Sequence, residues 1–420
     1  MSKLSSRNVI LPIFLTVFID MLGVGIIIPV LPALFFEQES MIFSPDVTFQ
    51  TRSLLYGLLL ASYPFMQFFG APILGTLSDR HGRKPLLQIS LAGTFLGYLV
   101  FGYAVASQNI PLLFISRMLP GFTGGNISIV FSAIADVSDD SSKARNFGLV
   151  GMAFGLGFIL GPTLGGVLAD PTMVSWFTPA TPFLFTAGLT LINILLVQYN
   201  FKETLVERRQ AAVNIFKGVG NIARSFRAPN LRVIFTVVLF TSLGFTFFTQ
   251  FFSVLLIEKI GVRIKDVGLL FGWIGLWLVI TQGVTVRILS RKYASATVLR
   301  VSLLMLSIAV AAVMLPSALW MFYLVNPFIA TFQGITSPNL TAVVSSQVAR
   351  DQQGEILGIN QSMQSLGQIL PALIGSYLNT IDVHVPLMAA SGFILLGWIV
   401  YMLVFQPRQK TQPSTVEMVE

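Results

Sequence analysis

Cysteine is absent from the 420 residues, which excludes disulfide frameworks, thiolate nucleophiles and cysteine-ligated metals. Histidine is almost as scarce. His81 and His384 are the only two, too few for a histidine metal centre, so no metal site is expected. Charged residues make up 10% of the chain, against roughly a quarter in an average soluble domain. A water-exposed surface cannot be covered with so few. No Gly-x-x-x-x-Gly-Lys-Ser/Thr run occurs, which removes the usual ATP cradle, and no catalytic triad can be assembled. Neither an enzyme nor a cofactor is expected.

What the chain has instead is apolar length. It is 54% hydrophobic, with 36 Phe and 14 Met. Crossing a hydrocarbon core of ~30 Å takes about 20 helical residues, and runs of that length recur almost throughout. They lie near 9–34, 52–77, 86–106, 110–134, 146–169, 182–200, 232–257, 266–289, 296–315, 318–345, 356–379 and 385–406. The pattern predicts an all-α integral membrane protein of twelve transmembrane helices, with the bilayer itself as a partner. The first run is too long for a signal-peptide core and is read as a retained helix.

The formal charge of +8 reports topology. With the N-terminus inside, 21 of the 26 Lys and Arg residues fall in internal regions, as the positive-inside rule requires. Only Arg52, Lys259, Arg263 and Lys265 lie outside, and Arg117 falls within a helix. Both termini are therefore expected in the cytoplasm, and nucleic acid is not an expected partner. Asn-x-Ser/Thr triplets such as those at Asn126 and Asn339 sit inside predicted spans, which with the compact chain suggests a bacterial cytoplasmic membrane.

One long polar stretch, 201–231, divides the chain into an N-terminal bundle (1–200) and a C-terminal bundle (232–420). Gly75, Asp79, Arg83 and Lys84 recur 208 residues later as Gly283, Arg287, Arg291 and Lys292. Pro162 and Gly166 recur 209 residues later as Pro371 and Gly375. Such internal similarity points to a duplicated six-helix unit.

Four motifs carry chemistry. The connection after the second helix reads Gly75-Thr-Leu-Ser-Asp79-Arg80-His81-Gly82-Arg83-Lys84-Pro85, in which Gly82 permits a tight turn and Asp79 can pair with Arg83. The fifth helix holds Gly157-Phe-Ile-Leu-Gly161-Pro162-Thr-Leu-Gly165-Gly166. Small residues at this spacing allow close helix contact in lipid, and Pro162 breaks one backbone hydrogen bond. The fourth helix contains Arg117-Met-Leu-Pro-Gly121-Phe-Thr-Gly124-Gly125.

The first helix holds Asp20, eleven residues beyond Val9 and so ~17 Å deep at about 1.5 Å per residue. Arg117 enters from the other side to a similar level. An acid at that depth costs at least ~2.5 kcal/mol and is rarely idle. Asp20 can pair with Arg117 and take up a proton, or the two can form a structural salt bridge. The remaining polar groups at depth are neutral. Tyr63, Gln67, Asn126, Gln250, Gln333, Gln361 and Gln364 are candidates to line a central cavity, with aromatics such as Phe65, Phe154, Phe247 and Trp273, or to bond between helices.

These motifs together resemble the twelve-helix drug:proton antiporter branch of the major facilitator superfamily, the bacterial tetracycline and multidrug efflux transporters. The likeness covers essentially the whole chain. It implies two pseudo-symmetric six-helix bundles working by alternating access, and energy from a proton gradient. In that family Gly75, Asp79, Arg80, Gly82, Arg83 and Lys84, joined by Asp136, match a cytoplasmic gate that favours the outward-open state. Gly157, Gly161, Pro162, Gly165 and Gly166 match the antiporter motif, and the arginine at Arg117 is linked to proton transfer. Pro120 departs from the usual form. Tetracycline exporters also carry a histidine and an acid in helices eight and nine, which this chain does not place at depth. A lipophilic or amphipathic drug, metabolite or siderophore-like compound is therefore expected in place of metal–tetracycline, moved out by a monomer in exchange for protons. A nutrient importer on the same fold predicts more charged contacts than these. A non-transporting scaffold would tolerate loss of Asp20 and Arg117.

Overall fold

The computed structural model describes residues 7–36, 42–44, 46–137, 143–205, 220, 223, 229–345, 347 and 353–405. Most of the expected linker, both chain ends, and the side chains of Phe154 and Gln361 lie outside the described residues. The described residues are helical, with no strand among them. In hydrocarbon every backbone polar group must be satisfied within the segment, and a helix does this by itself.

Fourteen helices are described: α1 (Arg7–Phe36), α2 (Phe49–His81), α3 (Arg83–Ala106), α4 (Ile110–Thr123), α5 (Ile127–Val137), α6 (Lys143–Leu168), α7 (Thr181–Asn200), α8 (Pro229–Ile260), α9 (Ile264–Ile280), α10 (Val286–Lys292), α11 (Ser295–Ala312), α12 (Leu319–Ser345), α13 (Gln353–Asn379) and α14 (Val385–Val404). A 3₁₀ turn at Gly124–Asn126 joins α4 to α5, and a π-turn at Thr281–Thr285 joins α9 to α10. Counting each interrupted pair as one, the described residues form twelve rods, matching the twelve expected spans to within a few residues. Among the described residues, eight spans are at least 18 residues long and apolar enough to cross a bilayer.

Short polar signals set the ends. Thr48 caps α2 by accepting from the Thr51 N–H, and Asn109 caps α4 by accepting from the Leu112 N–H, the usual use of such residues. Gly82, at φ 111°, turns α2 into α3, and Gly261, at φ 68°, turns α8 into α9. The stretch expected as a loop at Gly75–Pro85 is nearly all helix. The α2 rod continues through His81, and only Gly82 leaves the helical region, because a single left-handed residue reverses the chain.

The first six rods and the last six meet along two seams. At one, Ser53 Oγ donates to the Ser376 carbonyl (2.8 Å), Asn379 Nδ2 donates to Ser53 Oγ (3.1 Å), and Tyr56 OH donates to the Gln250 carbonyl (2.7 Å). A Cβ on Gly57 would strike the Ser376 side chain and the Ala372 carbonyl. At the other, Gly166 lies against Ile264 and Gly268, Thr163 against Gly272, and Ile159 against Gly275. All these contacts lie at the end holding Phe49, Leu168, Ile264 and Asn379, the end poor in basic residues. Toward the basic end the glycines of the described seam helices show no such contact. A Cβ on Gly155 or Gly283 would meet nothing within 4 Å, and one on Gly75 only Ser128 of its own half. The molecule is closed at the end poor in basic residues.

Candidate functional site

The orientation of Asp20 follows from the packing of its helix. Gly157, Gly161 and Gly165 of α6 lie so close to Phe18, Leu22, Gly25 and Ile26 that added Cβ atoms would strike α1 backbone. Close approach of this kind is what small residues permit in a membrane. Residues 18, 22 and 25 share one face, and at about 100° per residue Asp20 lies roughly half a turn away. Its carboxylate therefore turns toward the Gly124–Asn126 turn of the fourth rod. There Asn126 Nδ2 donates to Asp20 Oδ2 at 2.7 Å. Both are enclosed, Asp20 at 9% exposure and Asn126 at 1%.

Arg117, 7% exposed, lies over the Tyr63 ring at 4.6 Å from its centroid, a cation–π contact. Its Nε has no hydrogen-bond partner. Among the described residues no carboxylate stands within ion-pair distance of it. The expected Asp20–Arg117 pair is thus not formed in this conformation. The phenols of Tyr63 and Tyr98 lie within electrostatic reach of both groups, and the Tyr98 hydroxyl fills the space where Gly23 has no side chain.

Arg117 and Asn126 stand nine residues apart on the fourth rod, on either side of a break. Pro120 sits inside α4, seated against Gly97, and four residues later the chain tightens into the Gly124–Asn126 turn. Such a turn frees carbonyls that lipid cannot satisfy. Ser90 Oγ donates to the Thr123 carbonyl and Gln67 Nε2 to the Gly124 carbonyl, the latter at 3.2 Å. Gln67 and Asn126, both expected on a cavity wall, are therefore held by bonds between helices.

At the basic end a second cluster forms. Arg83, 5% exposed, pairs with Asp79 (2.5 Å) and with Asp136 (3.1 Å), and donates to Ser78 Oγ (2.6 Å). Thr204 Oγ1 also donates to Asp136 (3.1 Å). The Glu203 carboxylate accepts the backbone N–H groups of Arg83 (2.9 Å) and Lys84 (3.1 Å), capping α3, while Lys84 Nζ donates to the Gln198 carbonyl (2.7 Å). Arg80 stands exposed at the end of α2. Among the described residues these partners come from 1–200 and from Glu203 and Thr204 at the start of the linker. The roles of Glu203 and Ser78 had no sequence signal, because the contact of Glu203 spans 120 residues.

The remaining cavity candidates scatter. The Gln250 carbonyl is engaged by Tyr56, and its Nε2 approaches the Gln368 carbonyl at 3.5 Å. Buried oxygens of Gln250 and Gln333 have no partner. Gln364 is half-buried on α13, and Gln361 has no described side chain. Trp273 Nε1 donates to the Tyr323 carbonyl (2.9 Å). Phe65 is exposed, whereas Phe247 is core, stacked on Phe393 at 5.7 Å.

Known proteins share this pattern. The family model described as Major Facilitator Superfamily matches residues 13–372 and 234–419. The class H tetracycline resistance protein of Pasteurella multocida is 29% identical over 428 residues, covering 98% of this chain and 99% of that protein. The class B tetracycline resistance protein of Escherichia coli is 31% identical over 369 residues, 86% of each chain. Among solved structures, the human organic anion transporter MFSD10 (TETRAN) superposes with a TM-score of 0.71 at 21% identity, over 95% of this chain and 100% of that one.

Proposed function

Because the chain belongs to the Major Facilitator Superfamily, and is thus a multi-pass membrane transporter and not an enzyme, we propose that it is a proton-coupled exporter. It moves a lipophilic or amphipathic small molecule out across a bacterial cytoplasmic membrane as protons return inward. The units are 1–200 and 232–420, joined by the cytoplasmic linker 201–231, and they rock about a midplane site as the family architecture allows. No cofactor is needed, and a single chain suffices.

The observation that carries this reading is the enclosed Asp20 carboxylate, held by Asn126, in an interior whose other described polar groups, apart from Arg117 on the fourth rod, are neutral. An acid held at such depth is a natural proton carrier, and the likeness to resistance proteins across nearly the whole chain supports export. Under this reading the closed end faces outward. The Asp79–Arg83–Asp136 cluster then acts as a cytoplasmic gate, and its described partners lie in the first unit and at the start of the linker.

The test is reconstitution in phospholipid vesicles with an imposed pH gradient, following proton movement on addition of lipophilic compounds, tetracycline among them. Wild type is expected to couple substrate to proton flux and Asp20→Asn to lose the coupling. Flux surviving in Asp20→Asn would refute the role of that residue, and no flux with any compound would favour the scaffold.

A further inference from the structure

The connection holding Gly75, Asp79, Arg83 and Lys84 and its repeat 208 residues later share a spacing and differ in sign. In the first half Asp79 and Arg83 pair one turn apart, Asp136 completes the site, and Glu203 caps α3. In the second half the residue in place of Asp79 is Arg287, followed one turn on by Arg291 and then Lys292. The positions 208 and 209 residues after Asp136 hold Val344 and Ser345, so that acid is missing as well. Like charges at i and i+4 on a helix repel. Among the described residues no carboxylate lies within ion-pair distance of Arg287, Arg291 or Lys292.

These cations stand in the open. The helix that carries them, α10, has no buried residue and packs chiefly against its own rod. Arg287, Arg291 and Lys292 are all exposed. Val284 and Ile288, at 55% and 51% exposure, stand on the same stripe, since 284, 287, 288 and 291 follow the i, i+3, i+4, i+7 spacing of a single face. The stripe is therefore apolar toward the membrane interior and cationic at its end, over about 10 Å at about 1.5 Å per residue. A face turned only to water gains nothing from two exposed aliphatic side chains. Aromatic anchors mark the bilayer surface at this end of the molecule. Trp398 Nε1 donates to the Arg300 carbonyl (2.9 Å) and Tyr401 OH to the Ala296 carbonyl (3.0 Å), and membrane interfaces favour such amphipathic rings.

We propose that Arg287, Arg291 and Lys292 hold the phosphate of an anionic phospholipid whose acyl chains lie along Val284 and Ile288. A phosphodiester between the two guanidiniums supplies the negative charge that Asp79 supplies in the first half. Guanidinium groups match phosphate oxygens with paired N–H donors, and basic clusters at the ends of membrane helices recognise anionic headgroups in this way. The inference goes beyond the export reading. Lipid retention needs neither substrate nor pH gradient, so its failure would leave that reading untouched.

The full chain is purified in detergent, stripped of lipid, and titrated with phosphatidylglycerol, phosphatidylcholine or glycerol 3-phosphate. Retained lipid is counted by native mass spectrometry, and the thermal midpoint is followed alongside. Wild type is expected to retain phosphatidylglycerol in preference to phosphatidylcholine and to gain a few degrees from it, as any ligand of the folded state confers. Near a membrane surface each cation is worth about a fivefold change in affinity, so Arg287→Asp, which exchanges a cation for an anion, should weaken phosphatidylglycerol retention about twenty-five-fold. Because it also rebuilds the Asp79–Arg83 spacing, this variant should be no less stable than wild type without lipid. Arg232→Asp makes the same charge change at the start of α8 and should keep the preference. Equal retention of the two lipids by wild type would leave the arginines to water or to an acidic segment, and overturns the proposal. An equal loss in Arg232→Asp would show diffuse surface charge, and the same midpoint shift from glycerol 3-phosphate would show a free-anion site; either overturns it too. If Arg287→Asp does not insert, Arg287→Gln with Arg291→Gln decides, a wild-type preference refuting the site.

Discussion

Substituting Gly57 should open the closed end, by an amount the structure lets one work out. In Gly57→Val the new Cβ lands on the Ser376 side chain and the Ala372 carbonyl. The serine can rotate away, but the carbonyl is helix backbone and cannot. Forcing a larger residue into a packed contact costs about 1–3 kcal/mol. Only the closed conformation bears this cost, so all of it becomes differential stability between the two states. At about 2 kcal/mol the closed-to-open ratio falls roughly thirtyfold, since 1.4 kcal/mol is tenfold. A minor open state of roughly 1% would rise to roughly a fifth. The assay is the rate at which an impermeant maleimide labels Asn379→Cys, with and without Gly57→Val, at one pH. Gly188→Val is the control, because a Cβ there meets nothing within 4 Å. The reasoning fails if Gly57→Val changes the rate less than twofold in folded protein, or if Gly188→Val changes it as much.

Two further expectations follow from the same contacts. Ser53→Cys with Ser376→Cys should cross-link under mild oxidation and stop turnover, with recovery on reduction, because the Ser53 hydroxyl already touches the Ser376 carbonyl at 2.8 Å and disulfides need Cα atoms within about 7 Å; a pair that stays reduced in gel-shift analysis would contradict the closed seam. Glu203→Ala should lower the thermal midpoint in detergent by a few degrees, because the N–H groups of Arg83 and Lys84 lose their cap, worth about 0.5–2 kcal/mol, while Glu203→Gln should lose less; no difference between the two variants would show that the carboxylate does not cap α3.

Spans were readable from the sequence because apolar length is a property of consecutive residues. The rods start and stop within a few residues of the expected ranges. The exceptions are local. Expected as a loop, Gly75–His81 is helix, since its polar residues stand at the end of the rod, where lipid gives way to water. The Arg83 cluster was legible in part. Asp79 is four residues away on the chain, and Asp136 entered through family resemblance. Glu203 is remote in sequence and announces itself by no spacing. The inner pair was legible as two residues but not as an arrangement. Depth placed Asp20 beside Arg117, whereas the structure gives its carboxylate to Asn126, nine residues further along the rod, and depths counted from uncertain span ends do not resolve that difference. Polar residues on a helix give no sign of whether they face a cavity or a neighbouring helix, and Gln67 faces a neighbour.

The crossing of α6 and α9 has a mechanical consequence. Where Gly166 meets Gly268, backbone rests on backbone, while further along α6 only the Thr163 and Ile159 side chains enter the gaps left by Gly272 and Gly275. Interlocked side chains act as teeth: to slide past one another they must leave their rotamer wells, and each turnover would meet that resistance. Two smooth surfaces act as a bearing, free to swivel while still carrying load. On the opposite side of α6 the glycines at 157, 161 and 165 fasten it to α1. One helix is thus fastened to α1 on one side and bears on α9 on the other.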